Sequence, residues 1–238
     1  PAHAEAVDVA ALGAIIITGT ALSREPSRSA CERLVELAGD ADCPVVLDID
    51  YRAQAWDSPA EARKILAGMA RRVQMPVGND EEFDLIAGGG GRDFAAVLAE
   101  GGALVLYKMG EGGCDILEGG GEAHIGIFRV TALKPFGSGD AFLGTTMATL
   151  AAGPGISAAV TRGAAAAAIA VDAVVLVFTR TRVKGRRAAG QISTGAKSAA
   201  GTSHDNSLDV VIGIGAITGV YQFKHHVISK GVECFRSV

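Results

Sequence analysis

The feature of this chain that most limits its fold is a regular alternation of short apolar runs with amphipathic segments, up to about residue 174. Four apolar runs of strand length lie at residues 14–18, 44–48, 73–77 and 103–107. Segments with helical periodicity separate them, and buried strands that alternate with helices are typical of an open, mostly parallel sheet. We therefore predict an α/β fold with a mostly parallel, doubly wound sheet flanked by helices.

Several helices of this predicted fold have recognisable ends. Pro26 opens an amphipathic segment that Gly39 closes, and Ser58, Pro59 and Glu61 have the spacing of a capping box with Pro at the first helical position. The remaining predicted elements are a short helix near residues 81–87, a helix capped by Asp93, strands at 114–117 and 124–128, and two helices beginning at Asp140 and Ser157.

Polar side chains follow each of the four apolar runs, where the strands should end. In open α/β sheets, ligands bind beyond the carboxyl ends of the strands. One such side chain alone is most simply a loop cap or a solvated charge, whereas sets at four equivalent strand ends predict one ligand site. The residues are Thr18 and Gly19, then Asp48, Asp50 and Arg52, then Asn79 and Glu82, and finally Lys108.

A turn of three small residues, Gly137, Ser138 and Gly139, stands directly before Asp140 and an Ala-rich apolar run. Such a turn at the start of a helix leaves backbone N–H groups pointing outward, so it suits a phosphate or a developing oxyanion. Asp140 would lie in the first helical turn, where its carboxylate either caps the helix or takes a proton from a substrate hydroxyl. From the residues alone, a capped helix behind a flexible turn is an equally good interpretation.

The charge balance argues against nucleic acid as a partner. The chain has 22 Lys and Arg against 26 Asp and Glu, so its formal net charge is −4, which gives no general attraction to polyanions. Basic residues are concentrated at residues 180–187 without interleaved aromatic side chains. We interpret that stretch as a solvated, disordered segment rather than a nucleic-acid patch.

Cysteine use and the lengths of the apolar runs predict a cytoplasmic protein. The four cysteines form no C-x-x-C pair and are interpreted as free thiols of a reducing compartment. The chain starts without the basic and apolar regions of a signal peptide. Its longest apolar run, residues 163–178, is interrupted by Asp172 and is shorter than the ~20 residues that span a bilayer. We therefore expect no membrane partner.

Residues 134–144, from Lys134 to Gly144, resemble the C-terminal signature of the PfkB (ribokinase-like) carbohydrate kinases. The resemblance implies a ribokinase-like fold in which Asp140 is the catalytic base and the amides of Gly137, Ser138 and Gly139 form the anion hole. The sequence departs from the family pattern at Thr145 and Thr146, where small or apolar residues are preferred, which concerns the packing of the first helical turns rather than the chemistry.

Further stretches are similar to one branch of that family, the sugar-acid kinases of myo-inositol catabolism: residues 18–28, 47–52 with Trp56, 78–83 and 107–113. The resemblance implies ATP and Mg²⁺ as cofactors and 5-dehydro-2-deoxy-D-gluconate as substrate. Because many members of the family also bind a monovalent cation, it further suggests a site for an ion such as K⁺. It also implies the site residues. Asn79 and Glu82 would position Mg²⁺ through water. The nucleotide side would include Lys108, Gly110 and Gly113. Asp50 and Arg52 would lie near the sugar.

Arg52 has two interpretations that the sequence leaves open. Its planar guanidinium can bind the carboxylate of a sugar acid with two parallel hydrogen bonds. It can equally form an ion pair with Asp48 or Asp50, which precede it closely in the sequence.

The resemblance covers only part of the family's length. It begins after the N-terminal part of the family's fold, so we expect the N-terminal strands and the lid to be missing. Much of the sugar pocket would be missing with them. The lid is also the surface through which relatives often form homodimers. It ends near residue 174. Residues 175–238 are predicted to be an atypical, partly disordered tail of frameshifted or foreign origin, which suggests that the chain as given is weakly active or inactive.

Two other functions stay open at this point. The same fold serves kinases for 2-keto-3-deoxygluconate, fructose or ribose, and the sequence alone does not choose among these sugars. The alternative outside the enzymes is a fragment that binds a nucleotide but does not catalyse a reaction.

Overall fold

The computed structural model describes residues 2–130 and 137–172 and four strands at 176–183, 186–192, 209–213 and 232–236. The first three residues of the family-like motif, 134–136, therefore lie outside the described residues. The described strands are β1 (Leu12–Thr18), β2 (Val45–Asp48), β3 (Met75–Asn79), β4 (Val105–Lys108), β5 (Cys114–Glu118), β6 (Gly121–Ile125), β7 (Leu176–Val183), β8 (Arg186–Ile192), β9 (Asp209–Gly213) and β10 (Val232–Arg236).

The main sheet contains β1 to β6 in sequence order, with β10 beside β1. Strands β1 to β4 run parallel, whereas β5, β6 and β10 are antiparallel to their neighbours. Strands β8, β7 and β9 form a separate antiparallel sheet. The predicted mostly parallel α/β fold is confirmed.

The helices are α1 (Ala2–Glu5), α2 (Ser27–Asp40), α3 (Pro59–Ala70), α4 (Asp80–Ala87), α5 (Gly91–Glu100), α6 (Ser138–Ala151) and α7 (Ile156–Asp172). They form two layers because alternate strand residues face opposite sides of a sheet. Ile15 and Ile17 belong to the core with α2 to α5, while Ile16 belongs to the core with α6 and α7. No helix in the described ranges is long and apolar enough to cross a membrane.

Thr146, one of the two departures from the family pattern, is accommodated inside the second layer. Its side chain is fully buried on α6, and its hydroxyl donates a hydrogen bond of 2.8 Å to the carbonyl of Phe142. A buried hydroxyl with a partner costs little. The departure is therefore compatible with the packing of the two helices.

The predicted cap of α5 was wrong, and the predicted capping box of α3 forms only in part. Asp93 does not cap α5, because the helix begins two residues earlier and its N-cap is Gly90. Only half of the predicted capping box forms at α3. The Ser58 hydroxyl accepts from the Glu61 amide at 3.1 Å, but the Glu61 carboxylate accepts a hydrogen bond from Arg28 at 2.9 Å instead of reaching back.

The second strand of the β5–β6 hairpin starts earlier than predicted. Strand β6 ends at Ile125, although the apolar pattern suggested a strand through Phe128. The cause is the turn at Gly119 and Gly120, both of which have positive φ (55° and 81°). A two-residue turn of this kind reverses the chain at once, so pairing begins directly between Glu118 and Gly121.

Candidate active site

The small-residue turn forms the start of α6. Gly137 is the N-cap in a left-handed conformation (φ 80°, ψ 0°), and the helix begins at Ser138. Only a glycine adopts this conformation at little cost. Asp140 is the third helical residue and is exposed. It is therefore not the N-cap, and it lies in the first turn of the helix, where a negative ligand is favoured.

Lys108 reaches this helix start from the end of β4. Its Nζ atom lies 4.0 Å from the position that a Cβ atom would occupy on Gly139. The same Nζ atom lies 3.8 Å from Oδ1 of Asp48, the last residue of β2. Two strand ends and one helix start therefore meet around a single ammonium group. The strand-end pattern indicated that Asp48 and Lys108 lie at one edge of the sheet, and the helix start adds a third segment.

Asp48 is a buried carboxyl group at the centre of this cluster. Its pKa is raised to about 6 from an ordinary value of 3.8, mainly by burial. The carboxylates of Glu82, Asp50 and Asp140 contribute to this rise, and the neighbouring Lys108 offsets part of it. The charges that act on Asp48 are thus one lysine and three further carboxylates.

Asn79 and Glu82 form a complete capping box at the start of α4. The Asn79 side chain accepts from the Glu82 amide at 2.8 Å, and Glu82 Oε2 accepts from the Asn79 amide at 2.8 Å. Glu82 Oε1 also accepts from the Tyr51 amide, at 3.1 Å. Both residues have a structural role at this edge of the sheet, and their predicted role with Mg²⁺ stays a prediction.

Asp50 and Arg52 lie on the loop after β2. Arg52 Nη2 is 2.7 Å from Asp50 Oδ1, and the Arg52 side chain is 69% exposed. Of the two ion-pair partners considered, the structure selects Asp50. The Thr20 hydroxyl donates to Asp50 Oδ2 at 2.7 Å, a contact that sequence analysis missed although Thr20 follows the end of β1.

Gly110 and Gly113 lie in the turn between β4 and β5. This turn is closed by a hydrogen bond of 2.8 Å from the Met109 amide to the Gly113 carbonyl. Both glycines closely follow Lys108 in the chain. Their assignment to the nucleotide side stays a prediction.

The sequence profile of the pfkB family carbohydrate kinase matches residues 2–175. The chain belongs to this family. The matched range includes every strand-end residue described above and the start of α6, and it ends just before β7. Membership therefore rests on the part of the chain that forms the parallel strands and their two helical layers.

Two pfkB relatives share one name. The 5-dehydro-2-deoxygluconokinase of Photobacterium profundum is 39% identical over 166 residues, which cover 66% of this chain and 50% of that protein. The protein of the same name from Shouchella clausii is 36% identical, with the same coverage. The chain spans about half the length of the curated relatives it matches.

Solved structures of the pfkB family have the same fold. A PfkB protein from Polaromonas sp. JS666 superimposes with a TM-score of 0.63 at 26% identity, covering 71% of this chain and 57% of that chain. The aminoimidazole riboside kinase from Salmonella enterica gives a TM-score of 0.61 at 24% identity, covering 66% and 56%. The ribokinase-like fold is thus confirmed.

Proposed function

We propose that this chain carries the phosphate-handling part of an ATP-dependent kinase for a sugar acid. The substrate is 5-dehydro-2-deoxy-D-gluconate, phosphorylated on its primary hydroxyl to the 6-phosphate. The observation that carries the proposal is the meeting of Lys108, Gly139 and Asp140 at the start of α6. Support for the substrate comes from the name of the relatives, which are up to 39% identical.

The reaction uses the three groups at the start of α6 in different ways. The primary hydroxyl oxygen attacks the terminal phosphorus of ATP, a new O–P bond forms, and ADP leaves as the bridging P–O bond breaks. The Asp140 carboxylate accepts the hydroxyl proton. The amides of Gly137, Ser138 and Gly139, together with the Lys108 ammonium, stabilise the charge on the transferring group. Because phosphoryl transfer depends mainly on positioning and electrostatics, Asp140 needs no unusual basicity.

The side chains at this edge are compatible with Mg²⁺ bound jointly with a nucleotide. Within the described ranges, no three or more His, Cys, Asp or Glu side chains are grouped to hold a metal. Mg²⁺ on phosphates needs only one or two carboxylates and water. Glu82 fits, because each of its oxygens accepts one amide hydrogen bond and keeps a lone pair. Asn79 and Glu82 would hold the ion's waters, and the ion would neutralise phosphate charge. A monovalent cation stays a prediction.

On the sugar side, the exposed Arg52 guanidinium is the group proposed to bind the substrate carboxylate. Asp50 holds it from one side at 2.7 Å and is itself held by Thr20. A guanidinium has five N–H donors, so its pair with Asp50 leaves donors for a second carboxylate. This arrangement orients Arg52 without saturating it.

Replacement of Asp140 by Asn tests the proposal. In a chain extended to the length of the relatives, we expect Asp140→Asn to lower kcat by on the order of 10²–10⁴, the usual contribution of a general base, while ATP binding survives. The measurement is ATP-dependent phosphorylation of a panel of sugar acids, made on the extended chain and on the present one.

Asp93 provides a matched control for this variant. It is an aspartate at the third position of α5, a helix whose N-cap is also a glycine in the left-handed conformation. Asp93→Asn should leave kcat unchanged. A near wild-type kcat for Asp140→Asn would show that Asp140 is not the base.

A further inference from the structure

The pair formed by Asp48 and Lys108 is an unusual arrangement for two groups of opposite charge. The Asp48 side chain is 11% exposed and the Lys108 side chain is 20% exposed. Their closest atoms, Oδ1 and Nζ, are 3.8 Å apart, which is within ion-pair range but too long for a hydrogen bond. The carboxylate therefore attracts the ammonium without using its N–H donors.

Stability alone does not account for a buried carboxylate at this position. Burial of an ionised group is costly unless it is well paired and hydrogen-bonded. Asp48 also faces three like charges from other segments, namely Glu82 on α4, Asp50 after β2 and Asp140 on α6, with Lys108 on β4 as the opposing charge. Accordingly, its pKa is raised to about 6. An uncharged residue would be more favourable here, and costly features of this kind concentrate at functional sites.

The other neighbour of Lys108 indicates what the pair does. Its Nζ atom lies 4.0 Å from the position for a Cβ on Gly139, so it borders the first turn of α6. A lysine side chain has a flexible four-carbon stem and would otherwise sample many positions. A buried carboxylate 3.8 Å from the ammonium would limit this sampling by electrostatic attraction.

We propose that Asp48 is a positioning residue whose buried carboxylate holds the Lys108 ammonium at the start of α6, so that Lys108 donates its hydrogen bonds to the terminal phosphates of the nucleotide. This inference rests on the proposed phosphoryl transfer. It adds a residue that acts only through Lys108 and touches neither the nucleotide nor the sugar.

Nucleotide binding by the present chain tests this role, with ATP and AMP as probes. If Asp48 acts through Lys108, Asp48→Asn should weaken ATP binding by about tenfold, the loss of one charged hydrogen bond. AMP lacks the terminal phosphates, so its affinity should change by less than about twofold. In a Lys108→Met background, Asp48→Asn should weaken ATP binding no further.

The sign of the effect on ATP separates this role from simple charge repulsion. If Asp48 were only a negative charge near the phosphates, its removal would tighten ATP binding. Unchanged or tighter binding in Asp48→Asn would overturn the inference. Asp115 is the matched control, since it is a second buried aspartate, paired with Arg92 at 3.3 Å on another strand. Asp115→Asn should leave ATP affinity unaffected.

A thermal double-mutant cycle tests the pair without any nucleotide. In the wild-type background, Lys108→Met leaves a buried carboxylate unpaired and should lower the Tm by several degrees. In the Asp48→Asn background, the same change should have almost no effect. Additive shifts would overturn the inference even if the kinase assignment holds. Conversely, the two substitutions could be non-additive while the wild type fails to bind ATP. That result would contradict the phosphate role of Lys108, although the contact between Asp48 and Lys108 would be established.

Discussion

Asp48 and Asp50 are separated by one residue, and each pairs with a base, yet their surroundings differ sharply. Asp48 ends β2, is buried, and stands 3.8 Å from a largely buried Lys108. Asp50 lies beyond the strand with a positive φ of 32° and contacts, at 2.7 Å, an Arg52 side chain that is 69% exposed. The Asp50–Arg52 contact is thus the shorter of the two, yet it is the one whose electrostatic attraction is screened by water.

The difference teaches that distance alone does not measure the energy of an ion pair. An exposed pair contributes roughly 0–1 kcal/mol because water competes with it. In a buried pair, each charge has lost its hydration, so removal of one partner leaves the other without compensation. The buried pair therefore has a larger effect on folding, whereas the exposed pair is freer to exchange its partner for a ligand.

The largest expected effect is the loss of stability in Lys108→Met. At pH 8 we expect a decrease of roughly 3 kcal/mol in the free energy of unfolding. Without the lysine, the Asp48 pKa rises further above its unfolded value, so the penalty is present at neutral pH and disappears below about pH 4, where the carboxyl is protonated in both states. Urea denaturation across this pH range measures it. Arg52→Met is the comparison, and an equal loss there would erase the distinction between the two pairs.

Next in size is the effect of Arg52→Ala on substrate use by a chain of the relatives' length. Removal of a charged hydrogen bond to the sugar-acid carboxylate should raise its KM by the equivalent of roughly 1.5–3 kcal/mol, with the KM for ATP unchanged. Steady-state kinetics with both substrates varied checks this. Arg24 is another exposed arginine in an ion pair, with Asp57, and Arg24→Ala is the control. If the KM for ATP rises and that for the sugar acid does not, Arg52 contacts the nucleotide instead of the sugar acid.

The smallest effect that still separates the two aspartates is a gain of stability in Asp48→Asn. The rise of the Asp48 pKa from 3.8 to about 6 corresponds to at most about 3 kcal/mol. That pKa already includes the attraction of Lys108. The Asn amide still has to be desolvated at this buried position, which leaves a gain of about 1–2 kcal/mol. Because a raised carboxyl pKa destabilises the native state only above the unfolded pKa, the gain should grow from pH 4 to pH 6 and then stay constant. Unfolding curves at several pH values would reveal a flat or opposite trend.

Local sequence patterns were sufficient to predict the fold and the edge of the sheet at which Asp48 and Lys108 meet. The four parallel strands follow from their apolar runs. The convergence of Lys108 with Asp48 follows from parallel strands β2 and β4, which lie on either side of β3 and end at the same edge of the sheet. The helix start at Gly137 was visible in the small-residue turn. These features depend on periodicity and turn chemistry, which are local properties of a sequence.

The remaining features depend on contacts between distant segments. Nothing in the sequence distinguishes the buried Asp48 from the half-exposed Asp50, since burial is decided by the helices and strands that pack around them. Likewise, the Glu61 carboxylate leaves its predicted cap for Arg28, 33 residues away in the chain. The hydroxyl of Thr20 reaches Asp50 across 30 residues. Such pairings have no local signature.

The Glu82 carboxylate has a consequence for how the site moves. It accepts hydrogen bonds from two amides, that of Asn79 at the start of α4 and that of Tyr51 in the loop that carries Arg52. A loop of this kind would ordinarily open and close by itself on a fast timescale. Here its amide shares an acceptor with a helix cap, so release of the loop also loosens the first turn of α4. Amide hydrogens of the two segments should thus exchange with solvent as one cooperative unit, and a substrate that orders the loop would slow exchange in the helix as well.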